Sequence, residues 1–471
     1  MAGNMRETPK KMAHEQPDAR GAGQKGGAAG HLLASRRFGP FFATQFLGAL
    51  NDNLFKNALV VLVTFQAAQW TELSAGLLAN LAAGLFILPF FLFSASAGQL
   101  ADKFDKARLT RLVKLLEIAI MALAWIGFAQ HQLPWLLVAL FLLGLHSTLF
   151  GPIKYAILPQ HLRPEELIAG NAWIEAGTFV AILLGTLGGA LLAALPAATH
   201  WIPAASLGLA ILGYLASRGI PAAPAPAPGL RLNPNFLAET GANLGFARSE
   251  PAVFVALLAI SWFWLYGAVL LAQFPAYGRD VLGGDETAVT LLLLVFTVGI
   301  GAGSFLCQRL SKGHLNLGLV PLGGLVMALA GLDLAWASAG FTNAGPLRPV
   351  SILLADAAVW RVLADLLVLG IAGGLFIVPL YALMQIRSPL EHRARIVAAN
   401  NILNAAFMVV GALGASAVLG AGLSLAGLFA IVALVHAAVV FTLLVQSPDY
   451  RSACRETLAA WLRHGRGKID P

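Results

Sequence analysis

The chain has 471 residues, 58% hydrophobic and 11% charged, with a mean hydropathy of +0.75 and a formal net charge of +8. Soluble domains carry about 25% charged residues, so this composition excludes an ordinary soluble enzyme or nucleic-acid-binding domain. It leaves an integral membrane protein with room for a dozen spans of about 20 residues, whose surplus of Lys and Arg marks cytoplasmic loops.

In chain order, residues 1–37 are polar and rich in Gly, Ala and Lys, without an apolar run; they read as a disordered cytoplasmic arm and not a cleavable signal. The first expected helix, 38–65, is long enough to span, yet its middle holds Gln45, Asn51, Asp52, Asn53, Lys56 and Asn57. An Asp or Lys at the centre of a membrane helix costs about 2.5 to 3.5 kcal/mol, so such residues face a bundle interior or a wet cavity and mark a working site. Positions 45, 49, 52 and 56 share one helical face, and Asp52 with Lys56 has the spacing of an i,i+4 ion pair. Five more helices are expected near 74–98, 109–129, 135–158, 169–194 and 201–216, closing an amino-terminal half over 38–217.

A Pro/Ala-rich stretch opens a cytoplasmic linker, 218–250, of the semi-rigid spacer type. Helices near 252–276, 286–307, 316–339, 362–385, 396–419 and 423–446 then form a second half over 251–446, followed by a basic amphipathic cytoplasmic tail, 447–471. With the amino terminus inside and twelve spans, all but five of the 31 Lys and Arg fall in cytoplasmic segments. Arg279, Arg348 and Arg361 lie outside, and Lys56 and Lys154 lie within spans. A wrong helix count would scramble that alternation.

The halves repeat one another. LFGPIKYAIL at 149–158 matches LFIVPLYALM at 375–384, which pairs Tyr155 with Tyr381. AGNAWIEA at 169–176 matches AANNILNA at 398–405, which sets Asn171 against Asn400 and Glu175 against Asn404. Two parallel six-helix halves around a midplane site are a known transporter plan. The spacings Gly185/Gly189, Gly299/Gly303 and Gly370/Gly374 predict close helix contacts. Cys307 and Cys454 form no disulfide framework and no CxxC, no Walker-type loop is present, and no cofactor is indicated.

The turn between helices 2 and 3, GQLADKFDKARL at 98–109, resembles the major facilitator signature, with Asp105 where that family usually has Gly. The resemblance implies a conformational latch formed by Gly98, Asp102, Lys103, Lys106 and Arg108. The matching turn of the second half keeps Gly303 but has Cys307 at the place of Asp102.

QFLGALNDN at 45–53, FGPIKYAILPQHL at 150–162, ELIAGNAWIEAG at 166–177 and SWFWLYGAVLLAQFP at 261–275 narrow the resemblance to bacterial lysophospholipid transporters, in particular those fused to an acyltransferase. It implies an all-α integral membrane protein of the major facilitator fold, with twelve transmembrane helices in two pseudo-symmetric halves and both termini on the cytoplasmic side of the bacterial inner membrane. The implied activity is flipping of lysophospholipid from the outer to the inner leaflet for reacylation, with Asp52 and Lys154 as intramembrane site residues. Asn51 stands where the family usually has Gly.

A lysophospholipid carrier needs a few polar groups for the head and an apolar wall for the tail. Lys154 or Lys56 can hold a phosphate, and Asp52 or Glu175 can meet an ammonium. Asn53, Asn57, Asn171, Asn400 and Asn404 offer neutral hydrogen bonds, and Tyr155 joins the same set. The competing readings are Asp52 and Lys56 as a structural pair, Lys154 snorkelling to the interface, Glu175 in the latch network, and His146 as a packing residue. No H-x-x-x-x-D acyltransferase motif is present, so a separately encoded acyltransferase is the expected partner beside membrane lipids. Other functions consistent with the chain are a proton-coupled exporter of drugs or small metabolites and a non-transporting scaffold for an acyltransferase.

Overall fold

The computed structural model describes residues 28–65, 75–341 and 345–466; most of the expected arm, the first residue of the second expected helix and the end of the tail lie outside the described residues. Twelve long helices build the body: α1 (Gly39–Phe65), α2 (Ala75–Lys103), α3 (Lys106–Ala129), α4 (Leu133–Ala156), α5 (Leu167–Ala194), α6 (Ala198–Ser217), α7 (Pro251–Ala276), α8 (Glu286–Ser311), α9 (Leu319–Ala339), α10 (Ala357–Arg387), α11 (Arg393–Gly420) and α12 (Leu425–Gln446). Shorter helices cover Ala28–Ala34, Phe236–Arg248 and the tail, Pro448–Arg466. Among the described residues eleven helices, α2 to α12, are long and apolar enough to cross a membrane. The 27-residue α1 has the length, but its polar middle lowers its hydropathy.

Local chemistry sets several helix starts. The carboxylate of Asp105 accepts from Arg108 N at 2.8 Å to begin α3, Asp285 accepts from Thr287 N at 2.9 Å ahead of α8, and Asp356 accepts from Ala358 N at 2.9 Å ahead of α10. Such caps satisfy amides that a helix cannot pair internally. Both α4 and α10 carry an internal proline, Pro152 and Pro379, just before the matched tyrosines. A protein interior can re-satisfy the backbone groups that proline frees.

The packing repeats from half to half. In the first half α1 lies along α5, α2 along α4, and α3 along α6; in the second, α7 lies along α11, α8 along α10, and α9 along α12. The halves meet through two equivalent seams, α5 on α8 and α2 on α11. Small residues permit the tightest approaches: a side chain added at Gly185 would lie 2.6 Å from Leu50 O, and one at Gly370 would lie 2.6 Å from Phe296 O. The paired glycines are therefore helix-packing positions.

Two segments outside the long helices, the arm and the linker, are more structured than composition suggests. The end of the arm forms a helix, with Leu32 buried, and the following Arg37 grips Glu166 through two 2.9 Å bonds. The linker is tied down by backbone groups that bond the α2–α3 turn. Lys106 N donates to Ala223 O at 2.9 Å, Ala227 N donates to Asp102 O at 3.0 Å, and Asn233 N donates to Gln99 Oε1 at 2.7 Å. Polyproline-type backbone has no internal hydrogen bonds, which leaves its amides and carbonyls free for this docking.

Candidate functional site

The polar face of α1 looks into the first half, and the structure divides its neighbours into two groups. Asp52 accepts a short hydrogen bond from Ser147 Oγ of α4. Lys56 does not pair with it: its ammonium donates to Asn53 Oδ1 at 3.2 Å and lies over the Phe86 ring. Asn53 also donates to Ala49 O, and Asn57 donates to Thr186 Oγ1 of α5 at 3.2 Å.

Behind Asp52 lies a buried charge network absent from the sequence reading. Lys114 and Glu117 of α3 form a 2.6 Å ion pair with side chains 1% and 0% exposed. Asn51 donates to the other Glu117 oxygen at 2.8 Å. The His146 ring stands between the two carboxylates, Nε2 at 3.4 Å from Glu117 Oε2 and Nδ1 at 3.9 Å from Asp52 Oδ1. The charge count places Lys114 among the loop cations; in the structure its stem occupies space left by two glycines. A side chain at Gly48 would come within 2.5 Å of its ammonium, and one at Gly213 within 3.6 Å of its stem.

The second group lies where the halves meet. Lys154 follows Ser147 by seven residues on α4, about 10 Å along the helix. Its ammonium donates to Thr178 Oγ1 of α5 at 2.8 Å, and the nearby Glu175 carboxylate acts on its charge through space. Tyr155 donates to Glu175 Oε1 at 2.8 Å, and Glu175 is fully buried. Tyr155 stacks on Tyr381 with ring centroids 4.1 Å apart and planes 5° from parallel, so the two tyrosines matched in the sequence repeat meet face to face across the halves. Trp264 Nε1 donates to Tyr381 OH at 2.9 Å, and Phe179 stacks on Trp264.

The expected asparagines do not converge on one point. Asn171 exchanges two hydrogen bonds with Gln385 of α10, at 2.7 and 3.0 Å, and so joins the halves. Asn404 accepts from Ser261 of α7 at 2.8 Å, and Asn400 is fully buried in α11. Of these three, Asn171 bonds across the halves and Asn404 bonds within the second half, whereas Asp52, Asn53 and Lys56 belong to the interior of the first half.

At one end of the bundle the turn that resembles the signature joins the two halves. Asp102 is fully buried and accepts from Ala394 N at 3.1 Å, Arg395 N at 3.3 Å and Arg395 Nε at 3.2 Å. The carboxylate of one half therefore sits on the first amides of α11 in the other, where the helix dipole favours a negative charge. A side chain at Gly98 would lie 2.7 Å from Ala398 Cβ, which fixes how closely α2 approaches α11. Lys106 is buried beside the latch, Lys103 lies over Phe104, and Arg108 is exposed and contributes its backbone amide to the Asp105 cap. In the second half Cys307 is buried beside Ser311 and makes no such link.

Among the described residues no group of three or more His, Cys, Asp or Glu has a metal-holding arrangement. Residues 41–412 match the family model described as Major Facilitator Superfamily. The chain belongs to that superfamily. It is a multi-pass membrane transporter, and its family is not one of enzymes. It is 26% identical over 363 residues to a protein named Lysophospholipid transporter LplT from Serratia proteamaculans, covering 75% of this chain and 81% of that one. A protein of the same name from an Enterobacter species is 28% identical, covering 73% and 79%. Among solved structures, FucP in the outward conformation aligns with a TM-score of 0.64 at 15% identity, covering 88% of this chain and 98% of FucP. A bacterial homologue of the iron transporter ferroportin, in an outward-facing state, aligns with a TM-score of 0.59 at 18% identity, covering 89% and 99%. At those identities the structural likeness speaks for the fold alone.

Proposed function

We propose that this protein carries lysophospholipid from the outer to the inner leaflet of the bacterial cytoplasmic membrane by alternating access, and so feeds reacylation by a separately encoded acyltransferase. The observation that carries this reading is the arrangement of Asp52 and Lys154 on one wall. Asp52 is held by Ser147 of α4, and Lys154, held by Thr178, follows Ser147 on that helix by about 10 Å of backbone rise. A phosphoethanolamine head fills such a span, its ammonium toward Asp52 and its phosphate toward Lys154. The relatives named as lysophospholipid transporters support the substrate class.

The transport cycle follows from which contacts are closed. Asp102 on α11, Asn171 with Gln385, and Tyr155 on Tyr381 all join the halves toward the latch end. With α1 counted as the twelfth span and both termini cytoplasmic, this arrangement is an outward-facing state; inward opening breaks these contacts together.

The test is uptake of labelled lysophosphatidylethanolamine into proteoliposomes. Asp52→Ala and Lys154→Ala should each lower uptake roughly tenfold or more, as expected for loss of a charge-assisted bond, with near-normal amounts of folded protein. Uptake at the empty-vesicle rate, or movement of a soluble metabolite instead, would overturn the lipid reading.

A further inference from the structure

Behind Asp52 one of two buried carboxylates has no cation in direct contact with it. Asp52 and Glu117 contribute two negative charges, and Lys114 pairs with only one of them. Lys56, the other cation near Asp52, is turned toward Asn53 and Phe86. His146 is buried between the two carboxylates, and neither ring nitrogen has a hydrogen-bond partner. Asp52 Oδ1, the oxygen facing Nδ1, is likewise unpartnered. A buried charge without compensation is costly, and so is a buried polar atom without a partner. Both defects sit at one place, and a single cation there removes both.

We propose that His146, Glu117 and Asp52 form a one-cation site, occupied either by a proton on His146 or by the cationic part of a lipid head at Asp52, and not by both. In the first state the imidazolium donates toward both carboxylates. In the second, the ammonium balances Asp52, and the proton leaves His146 for water. The groups facing this ring are Glu117 and Lys114 from α3, Asp52 and Asn51 from α1, and Ser147 on its own helix. The helices α2, α10 and α11 also pack on α4, but their charged residues, Asp102, Lys103, Arg361, Asp365, Arg387, Arg393 and Arg395, lie toward helix ends. The headgroup half of the proposal rests on the lysophospholipid reading above; the proton half does not.

The experiment has two arms, on the whole purified protein in detergent. In the first, binding of lysophosphatidylethanolamine and of lysophosphatidylglycerol, which lacks an ammonium, is measured from acid to alkaline pH with a proton-indicator dye. Affinity for the ethanolamine lipid should rise with pH by up to about tenfold per unit, the limit for one released proton, and the dye should register that proton. The glycerol lipid should show no such slope. His146→Gln should remove the slope, and Lys56→Gln should keep it; the opposite pattern overturns the proposal by moving the balancing charge to Lys56. In the second arm, without lipid, infrared difference spectra should show one imidazole-linked carboxylate titration in the wild type that is missing in both His146→Gln and Glu117→Gln. Its absence from the wild type overturns the proton site. A titration present without lysolipid binding keeps the proton site and removes the lipid reading. Using two variants guards against either one failing to fold.

Discussion

The two halves share one packing plan and differ in where they keep their charges. The interior of the first half holds Asp52, Lys56, Lys114, Glu117, Lys154 and Glu175 on four of its helices. In the second half the position of Glu175 is taken by Asn404, that of Asp102 by Cys307, and the interior is lined by Phe263, Phe296 and Phe376. Its main ion pair, Asp333 with Arg361, is half exposed at the outer ends of α9 and α10. A symmetric scaffold thus separates two tasks. One half holds most of the buried charge, and the other offers an apolar wall and the helix terminus on which Asp102 sits.

This contrast can be broken by substitution. The largest effect is expected inside the first half. Lys114→Met leaves Glu117 buried without its cation, at a cost of about 3 to 5 kcal/mol. Thermal unfolding in detergent should fall sharply, and Glu117→Gln added to it should restore much of the loss. An unchanged melting temperature in the single variant would show that the network is wet. An intermediate effect is expected at the seam. Asp102→Asn removes a charge from the start of α11, worth about 1 kcal/mol, and should shift the population several-fold toward opening at the latch end. Labelling rates of single cysteines placed at the two mouths measure that shift; equal rates in variant and wild type would remove Asp102 from the latch. The smallest effect is expected in the second half. Asp333→Asn breaks a half-exposed pair worth about 0.2 to 1 kcal/mol, and uptake should stay within roughly twofold of wild type.

Much of this was legible from residue types. Asp52 and Lys154 stand out because charge inside an apolar run is expensive, and the tyrosine stack was implicit in the repeat. Lys114 and Glu117 are hard to single out because they follow a basic loop closely, and Lys114 counts with that loop's cations. A signal was present: Thr110, Lys114, Glu117, Met121 and Ala124 share one helical face, and all are buried. Charges on the face that also carries the apolar contacts point inward. The donor side of that contact, the amides of Ala394 and Arg395, was not legible, because Asp102 and Ala394 are 292 residues apart and nothing local in either segment names the other. Nor was the linker's docking, which depends on backbone groups that composition does not distinguish.

That docking decides how much of the linker is free. Gln99, Asp102, Asp105, Lys106 and Arg111 all hold the linker, and all belong to the first half. Downstream, Phe246 stacks on His392 and lies under the Arg395 guanidinium, both in the second half. The stretch up to Asn233 is therefore anchored to the first half, and the helix beginning at Phe236 packs on both α2 and α11, which leaves few residues of the linker without a hold on either half. What looks like a long tether is mechanically a short one.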